Sequence, residues 1–327
     1  MEKIEEHSFS KPVVVCSRCM GFEHCRYNGQ LLNDSLVEAL KPFVNFITPC
    51  PEKDMGLGVP RHPVRVVHER GENHLVQLVT GADVTSKMKG FCSEFFSGLE
   101  AADGFILKSR SPSCGLFDVK FYPSGEKNPP QGKGAGFFGG EVLYRFPGVA
   151  IEDEARLGNE KIRDHFLTKL FVLAEFRETH LPRELVAFQS KHKLLLMAYS
   201  QKEMRELGRI VAHQSEKGID NTLVLYREHL LKAFEKGPSY RSHVNVLEHA
   251  FGYVSSKLAP EERAFFLDNL EMFREDRTPL VTLLNLIQSW VLRFGVEYLA
   301  GQSYFVPYPV SLRRTFDRYR TRDYWGR

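Results

Sequence analysis

The sequence lacks a long apolar segment. Its most hydrophobic stretch, residues 279–300, is interrupted by Gln288, Arg293 and Glu297. A membrane helix would have to bury these polar and charged groups in lipid, so the stretch predicts a packed core helix instead. The N-terminus, MEKIEEHSFSKP, also lacks the apolar core of a secretory signal. We therefore expect a cytoplasmic protein with no membrane partner.

A large excess of one charge is also missing. The 327 residues carry a formal net charge of +3 and are 43% hydrophobic, which excludes a disordered or fibrous chain. Residues 1–175 hold 21 Lys and Arg against 23 Asp and Glu, a balance of −2. Residues 176–327 hold 23 against 18, a balance of +5. A polyanionic partner is therefore expected to prefer the second half.

Cysteine is absent after residue 114. The six cysteines are Cys16, Cys19, Cys25, Cys50, Cys92 and Cys114. Without an export signal, clustered thiols in a reducing cytosol indicate metal binding or catalysis rather than disulfides. Cys92 differs from the others because it lies among phenylalanines in a predicted helix, where we expect a small buried hydrophobe.

The pattern of helices and strands changes along the chain, and the length predicts two domains. The strand signals in the first half are residues 13–15, 44–47, 64–67 and 104–107, and its helix signals are residues 34–40 and 80–102. Strands that alternate with helices predict a mostly parallel sheet covered by helices on both faces. Such a sheet carries its functional loops at the carboxyl ends of its strands, where three cysteine-bearing loops would meet at one edge.

The segment at residues 131–140, QGKGAGFFGG, is dense in glycine. Its spacing fits neither a P-loop nor a dinucleotide-binding motif, so it predicts a flexible active-site loop or turn.

The second half is helical throughout. Its helical stretches are residues 160–178, which bridge the two halves, and residues 183–208, 222–236, 242–258, 260–275 and 279–299. Pro260 suits the first position of a helix. We therefore predict an α/β N-terminal domain, residues 1–175, with a mostly parallel sheet covered by helices, followed by an all-α helical bundle domain, residues 176–327.

A CxxC motif formed by Cys16 and Cys19 follows the first predicted strand. Such a pair indicates a redox dithiol, half of a zinc site, or two ligands of an iron–sulfur cluster. Cys114 follows another predicted strand and would point to the same place. Three thiolates bind three irons of a cubane and leave the fourth open, whereas structural zinc takes four ligands. Cys25 or Cys50 would supply that fourth ligand, so both alternatives stay open at this point.

Further motifs accompany these cysteines. They are Gly21, CRYNG at residues 25–29, CPE at 50–52, TGADVT at 80–85 and KSRSPSCG at 108–115. In order and spacing they resemble the DUF523 domain of thiouracil desulfidases (TudS-like). The second half resembles the DUF1722 (YbgA-like) domain through FQSKHKLLLMAY at 188–199 and YFVPYP at 304–309. The fused arrangement is similar to RudS-type desulfidases, which remove sulfur from 4-thiouridine in tRNA.

The resemblance implies roles for individual residues. Cys16, Cys19 and Cys114 match the three ligands of a [4Fe-4S] cluster with one open iron. Glu52 matches a catalytic carboxylate and Ser111 a catalytic serine. A soft thiocarbonyl sulfur suits an open iron, and water then adds at the thiolated carbon without redox change. Glu52 would activate that water or shuttle a proton, while Ser111 would orient this base or relay a proton.

Neighbouring polar residues are expected to bind the substrate. These candidates are Arg26, Tyr27, Asn28, Lys108 and Ser109. Asp83 either caps the following helix or touches the substrate.

Arginines interleaved with aromatic residues in the C-terminal tail suit phosphate contacts and base stacking, unless the tail merely docks on the bundle. The RNA-binding candidates are Lys191, Lys193, Arg313, Arg314, Arg318 and Arg320. The expected partner is thiolated tRNA, and no protein partner is inferred. Two alternatives stay open: a desulfidase of free thiouracil or thionucleotides with a scaffold helical domain, and a zinc-stabilised RNA-binding protein without catalysis.

Overall fold

The computed structural model describes residues 9–124 and 128–313. Within these ranges the strands are β1 (Val13–Cys16), β2 (Asn45–Ile47), β3 (Val64–Glu69), β4 (Glu72–Gln77), β5 (Gly104–Leu107), β6 (Val119–Tyr122), β7 (Gly132–Gly134) and β8 (Ala150–Asp153). The α-helices are α1 (Ser35–Leu40), α2 (Thr85–Ser97), α3 (Phe137–Arg145), α4 (Glu160–Arg177), α5 (Pro182–Tyr199), α6 (Gln201–Ala212), α7 (Gln214–Lys217), α8 (Ile219–Ala233), α9 (Tyr240–Gly252), α10 (Pro260–Arg274), α11 (Leu280–Phe294) and α12 (Glu297–Ala300). The predicted class, an α/β half followed by a helical half, is confirmed.

A four-stranded parallel sheet carries the predicted site. Its strand order is β2-β1-β5-β8, and every neighbouring pair is parallel. The central strands β1 and β5 are buried on both faces, as Val14, Val15, Phe105 and Ile106 show. Strands of this kind are continuous apolar runs in the sequence, which is why they were predictable. Because all four strands are parallel, the loops that follow them lie along one edge.

A second sheet was not predicted. Its strand order is β4-β3-β6-β7, in which β3 and β4 form an antiparallel hairpin and β3 pairs with β6 in parallel. The hairpin turns at Arg70 and Gly71, which both have positive φ, as a tight two-residue turn requires. The sequence concealed this sheet because β4, with the sequence ENHLVQ, is mostly polar, and because β6 and β7 are short and each contain a lysine.

The prediction of a flexible loop over residues 131–140 is wrong. This segment forms β7 and the start of α3, and its glycines permit close packing. A Cβ on Gly136 would lie 2.5 Å from the carbonyl oxygen of Pro112, and one on Gly139 would lie 2.3 Å from that of Gly115. Glycine therefore lets α3 approach the loop that carries Cys114, and does not make the segment mobile.

Helix α4 joins the two halves, as expected. Phe166, Leu167 and Leu170 pack in one apolar cluster with residues of the parallel sheet, such as Val14. Further along α4, the side chains Val172, Leu173 and Phe176 belong to the larger cluster that runs through the helical half. The boundary predicted between residues 175 and 176 lies inside this helix.

The single helix predicted over residues 183–208 is wrong. The chain breaks at Ser200, which is extended with φ −156° and ψ 103°, and separates α5 from α6. The Ser200 hydroxyl oxygen accepts a hydrogen bond from the backbone N–H of Glu203 at 3.3 Å and caps α6.

Pro260 lies at the first position of α10, as predicted. None of the helices in the described ranges is long and apolar enough to cross a bilayer.

Candidate active site

The three cysteine-bearing loops meet at the carboxyl edge of the parallel sheet. The backbone N–H of Ser17 donates to the carbonyl of Ile106 at 3.1 Å. The N–H of Arg18 donates to the carbonyl of Pro49 at 3.0 Å. The N–H of Lys108 donates to the Ser17 hydroxyl oxygen at 3.0 Å. The loops after β1, β2 and β5 are thus hydrogen-bonded to one another, and the expectation that they share one edge is confirmed.

The thiols of Cys16, Cys19 and Cys114 lie close enough to affect one another's ionisation. Burial raises the pKa of Cys16 well above its ordinary value, and the thiols of Cys19 and Cys114 raise it further. Burial also raises the pKa of Cys114, while a hydrogen bond with Ser17 opposes this rise. The pKa of Cys19 is raised to about 11, again mainly by burial. Two buried thiols and the half-buried thiol of Cys19, crowded together, need a nearby cation to become thiolates together.

This donor set fits an iron–sulfur cluster in the kind of ligand that it offers. All six cysteines are free thiols, and thiolates are the ligands that such clusters take from proteins. Among the residues that the structure describes, no group of three or more His, Cys, Asp or Glu side chains is already arranged as a metal site.

The first turn of α3 fixes the loop that carries Cys114. The N–H of Gly136 donates to the carbonyl of Gly115 at 2.8 Å, and the N–H groups of Phe138 and Gly139 donate to the carbonyl of Ser113 at 2.9 and 3.0 Å. The first N–H groups of a helix have no partner within it, so this loop supplies their acceptors. Backbone hydrogen bonds thereby hold Cys114 in place.

Glu52 is a partly buried carboxylate with two fixed partners. Its Oε1 accepts a hydrogen bond from the Ser113 hydroxyl at 2.9 Å. Its Oε2 forms an ion pair with Arg61 Nε at 2.8 Å. The Arg61 side chain is only 4% exposed and also donates to the carbonyls of Cys25 and Gly58 at 2.9 and 3.1 Å. Sequence reasoning missed Arg61, for which no motif gave a signal, and Ser113, which lies inside the KSRSPSCG motif.

Ser111 has a different set of contacts from Ser113. Its hydroxyl oxygen accepts hydrogen bonds from the backbone N–H groups of Ser113 at 3.3 Å and Cys114 at 3.1 Å. The side chain therefore shapes the turn that leads into Cys114. The catalytic role expected for Ser111 stays a prediction.

Two predicted substrate-binding residues are held by Glu154, which follows β8. Lys108 Nζ forms an ion pair with Glu154 Oε1. The backbone N–H and hydroxyl of Ser109 donate to Glu154 at 2.7 and 2.8 Å, and Ser109 is buried. Lys108 also acts to lower the pKa of Cys19, so its ammonium group lies near that thiol. Glu154 carried no signal in the sequence.

The other predicted substrate-binding residues lie at the rim of the site. The Arg26 guanidinium lies over the Tyr27 ring, 5.8 Å from its centroid, and like Lys108 acts to lower the pKa of Cys19. Asn28 Oδ1 accepts a hydrogen bond from the backbone N–H of Gln30 at 3.2 Å. The contacts of these residues with substrate remain predictions.

The remaining cysteines and Asp83 have local partners. Cys50 Sγ donates to the carbonyl of Cys25 at 3.7 Å, and a hydrogen bond between the two thiols lowers the pKa of Cys50 to about 7. Cys92 is buried in α2, as expected. Asp83 Oδ1 accepts from the N–H of Thr85, the first residue of α2, at 2.8 Å, and Asp83 Oδ2 lies 2.8 Å from His74 Nδ1, so both oxygens have partners within the protein.

Of the RNA-binding candidates, Lys191, Lys193 and Arg313 lie in the part of the chain that the structure describes. Lys191 Nζ contacts both carboxylate oxygens of Glu175 at 2.9 and 2.8 Å. Arg313 donates to the carbonyl of Phe305 at 2.6 Å, and Lys193 is exposed. Arg314, Arg318 and Arg320 lie outside the described residues. Lys191 and Arg313 are thus bound to groups of the protein itself.

Comparisons with known proteins match the two halves separately. The family "2-thiouracil desulfurase" matches residues 14–154, and "Protein of unknown function (DUF1722)" matches residues 193–309. The chain is 30% identical over 164 residues to the uncharacterized protein YbgA of Escherichia coli (strain K12), a match that covers 48% of this chain and 96% of YbgA. It is 34% identical over 110 residues to the uncharacterized protein YbbK of Bacillus subtilis (strain 168), covering 32% of this chain and 73% of YbbK.

Among solved structures, the [4Fe-4S]-dependent thiouracil desulfidase TudS matches with a TM-score of 0.37 and 26% identity, over 45% of this chain and 94% of that one. The family matches and the two relatives agree with the division of the chain into an α/β half and a helical half. The chain therefore belongs to the 2-thiouracil desulfurase (DUF523) family through its α/β half and to the DUF1722 family through its helical half.

Proposed function

We propose that this protein is a [4Fe-4S]-dependent desulfidase that removes sulfur from 4-thiouridine in tRNA. The reaction converts a thiocarbonyl to a carbonyl by hydrolysis and requires no redox change. The observation that carries the proposal is the meeting of Cys16, Cys19 and Cys114 in loops at one sheet edge, with the Glu52 carboxylate on the adjoining Ser113. Membership of the desulfurase family gives independent support.

Cys16, Cys19 and Cys114 would hold the cluster. When bound, a [4Fe-4S] cluster with three protein ligands supplies an open iron, a Lewis acid suited to a soft sulfur atom. The protein prepares these ligands by placing hydrogen-bond donors and positive charges beside them. The Ser17 hydroxyl opposes the rise in the pKa of Cys114, and Lys108 and Arg26 act in the same direction on Cys19.

We assign the proton transfer to Glu52. Its carboxylate would accept one proton from the water that adds to the thiolated carbon and give it to the sulfur as the C–S bond breaks. The remaining hydroxyl proton is lost as the carbonyl forms, so that water and thiocarbonyl yield carbonyl and hydrogen sulfide. Arg61 holds Oε2 and fixes the orientation of the carboxylate. The Ser113 hydroxyl donates to Oε1 and gives the proton a second path toward the loop of Cys114.

The assignment of tRNA as substrate rests on charge and on family resemblance. The helical half has a balance of +5 and the catalytic half a balance of −2. Phosphates are attracted to the first and mildly repelled by the second, which favours RNA bound on the helical half with one nucleotide reaching the site. That nucleotide must leave its stack, which costs a few kcal/mol and is offset by contacts to the surrounding RNA.

The cluster is tested by anaerobic purification followed by iron and sulfide analysis and visible absorption spectroscopy. We expect a brown protein, and we expect Cys16→Ala, Cys19→Ala or Cys114→Ala to remove the iron and the activity. Cys92→Ala is the matched control, because this buried thiol belongs to α2 and to none of the three cysteine-bearing loops, and its replacement should leave the iron content unchanged. Full iron content and desulfuration in Cys114→Ala would falsify the ligand assignment. Zinc without iron would favour the non-catalytic alternative.

The substrate is tested on the full-length holoenzyme with thiolated tRNA, free 4-thiouridine and free thiouracil. We expect kcat/KM to be highest for tRNA. Equal values for the three substrates would overturn the assignment of tRNA and support the scavenging of free thiouracil or thionucleotides.

A further inference from the structure

Two exposed aromatic rings stand beside the catalytic loops. The Tyr27 residue is 42% exposed and Phe117 is 49% exposed. Each ring has a guanidinium group over it: Arg26 lies 5.8 Å from the centroid of Tyr27, and Arg156 lies 5.7 Å from that of Phe117. We call these the Tyr27–Arg26 pair and the Phe117–Arg156 pair. Both rings are held in place and still present surface to solvent.

The Tyr27–Arg26 pair lies on the Glu52 side of the site. The carbonyl of Tyr27 accepts a hydrogen bond from the backbone N–H of Arg61 at 2.8 Å, and the Arg61 side chain holds Glu52. Glu52 follows β2, which is one edge strand of the parallel sheet. This pair therefore marks one end of the row of loops.

The Phe117–Arg156 pair lies at the other end. Phe117 follows Cys114 by three residues, and Arg156 follows Glu154 by two, just beyond the opposite edge strand β8. Tyr27 lies in the loop after β1, which carries Cys19, and its contacts are on the β2 side, whereas Phe117 lies in the loop after β5, which carries Cys114, and its contact is on the β8 side. In the strand order β2-β1-β5-β8 these are the outer sides of the two loops. Arg156 is itself paired with Glu152 at 2.7 and 3.0 Å, so its role is to orient Phe117.

The turn before Phe117 presents a further cation. Arg110 has a φ of +58°, a left-handed conformation that large side chains rarely adopt. The conformation is stabilised by a hydrogen bond from the Arg110 N–H to Asp118 at 2.9 Å. The Arg110 side chain is 82% exposed, and its Nε forms a long ion pair with Asp118 Oδ2 at 3.5 Å, which leaves the outer nitrogens of the guanidinium group facing solvent. Phe117 points outward although its neighbours Leu116 and Val119 are buried.

We propose that Tyr27 and Phe117 stack on the unpaired nucleotides that flank the thiolated base of an RNA substrate, and that Arg110 contacts their phosphates. This inference rests on the proposed function and extends it from the reacting base to the strand around it. Every base has a π face, so aromatic stacking grips single-stranded RNA with little regard to sequence, and guanidinium groups neutralise its backbone. Rings at both ends of the loops would hold the strand with its central nucleotide over the thiols.

The test compares Phe117→Ala with the wild-type full-length holoenzyme. We expect kcat/KM for thiolated tRNA to fall about 5- to 100-fold, the usual effect of losing one stacking side chain. The value for free 4-thiouridine should change less than about twofold, because a nucleoside has no flanking bases. Phe117→Trp keeps an aromatic face and should retain activity on tRNA. Tyr144→Ala, which removes an 82% exposed ring from α3, is the matched control and should leave both values unchanged.

A second measurement is independent of desulfuration. Binding of unthiolated tRNA, followed by fluorescence anisotropy, should weaken by a similar factor in Phe117→Ala and be unchanged in Tyr144→Ala. Equal losses on tRNA and nucleoside, or no loss in either tRNA measurement, would overturn the inference. A wild-type protein that desulfurates no substrate while Phe117→Ala still weakens RNA binding would instead refute the proposed function and leave the RNA-contacting rings in place.

Discussion

The contacts of Glu52 are those expected of a positioned general base. A carboxylate with one oxygen on Arg61 and the other on Ser113 is held in a single orientation. Glu52→Gln keeps the shape and removes the base. We expect turnover to fall about 10²–10⁴-fold, as for other positioned acid–base groups, while the visible spectrum of the cluster is unchanged. Glu100→Gln, at an exposed position, is the control. Near wild-type turnover in Glu52→Gln would remove Glu52 from the mechanism.

The two serines beside Glu52 and Cys114 are predicted to differ. Ser111→Ala loses the acceptor for two backbone N–H groups of the cysteine turn, so we expect a lower free energy of unfolding, by about 1 kcal/mol, together with slower turnover. Ser113→Ala loses only the donor to Glu52 and should slow turnover with little change in stability. Urea unfolding and steady-state kinetics on both variants check this. Equal stability losses would show that the two hydroxyls act alike.

Helix α3 packs closely against the loop that carries Cys114. A Cβ at Gly139 would lie 2.3 Å from the carbonyl oxygen of Gly115, and that backbone has no room to move aside. We expect Gly139→Ala to lower the free energy of unfolding by about 1–3 kcal/mol and to reduce the iron content. At the next residue, Gly140, a Cβ meets only Ala135 at 3.6 Å. Gly140→Ala is therefore the control and should be neutral or stabilising, as measured by thermal unfolding and iron analysis.

Helix α4 carries a charged group in the shared core. Lys169 is buried, its ammonium donates to the carbonyl of Phe234 at 3.3 Å, and burial lowers its pKa to about 8. The unfolded pKa is near 10.4, so below pH 8 the folded state holds a buried charge at a cost of about 3 kcal/mol. This cost disappears between pH 8 and about 10.4, where only the unfolded state binds the proton.

Lys169→Met should therefore stabilise the protein at pH 7, by up to about 3 kcal/mol. The gain over wild type should shrink as the pH rises from 8 toward 10. Urea unfolding of both proteins at pH 7 and pH 9.5 measures this difference. A gain that is the same at both pH values would show that the ammonium group is not the cause.

At the scale of the whole molecule, the unequal charge of the two halves predicts a salt-dependent association with RNA. The logarithm of the affinity for tRNA should fall linearly with the logarithm of salt concentration, with a slope set by the number of phosphates neutralised. Joint replacement of Arg314, Arg318 and Arg320 by Gln should reduce that slope. The control is joint replacement of Lys87, Lys89 and Lys120 by Gln, three exposed lysines of the catalytic half. An equal reduction in both triple variants would show that net charge alone governs binding.

The two halves also share one apolar core through α4, which contributes Phe166 and Leu170 to the sheet side and Leu173 and Phe176 to the helical side. Tests of RNA delivery are therefore made on the full chain with point variants. Removal of the helical half would expose the second face of α4 and destabilise the catalytic half together with it.

The sequence by itself determined the class of each half, the strands β1 and β5, and the cysteine loops that follow them. These features depend on local patterns: continuous apolar runs for buried strands, a 3.6-residue period for helices, and motif spacing for the thiols. Buried strands and a CxxC motif remain visible in a single sequence because neighbouring residues encode them.

Only the tertiary structure decided which side chains surround the thiols. Arg61, Ser113 and Glu154 reach the site from three separate segments, and the partners cited for them lie 9, 61 and 45 residues away along the chain. The role of the glycines at the start of α3 also depends on tertiary packing. In the sequence they suggested flexibility. In the structure they allow α3 to approach the carbonyl groups of the cysteine loop closely. Contacts between distant segments leave no local pattern, because the free energy that selects each side chain arises only when the chain has folded.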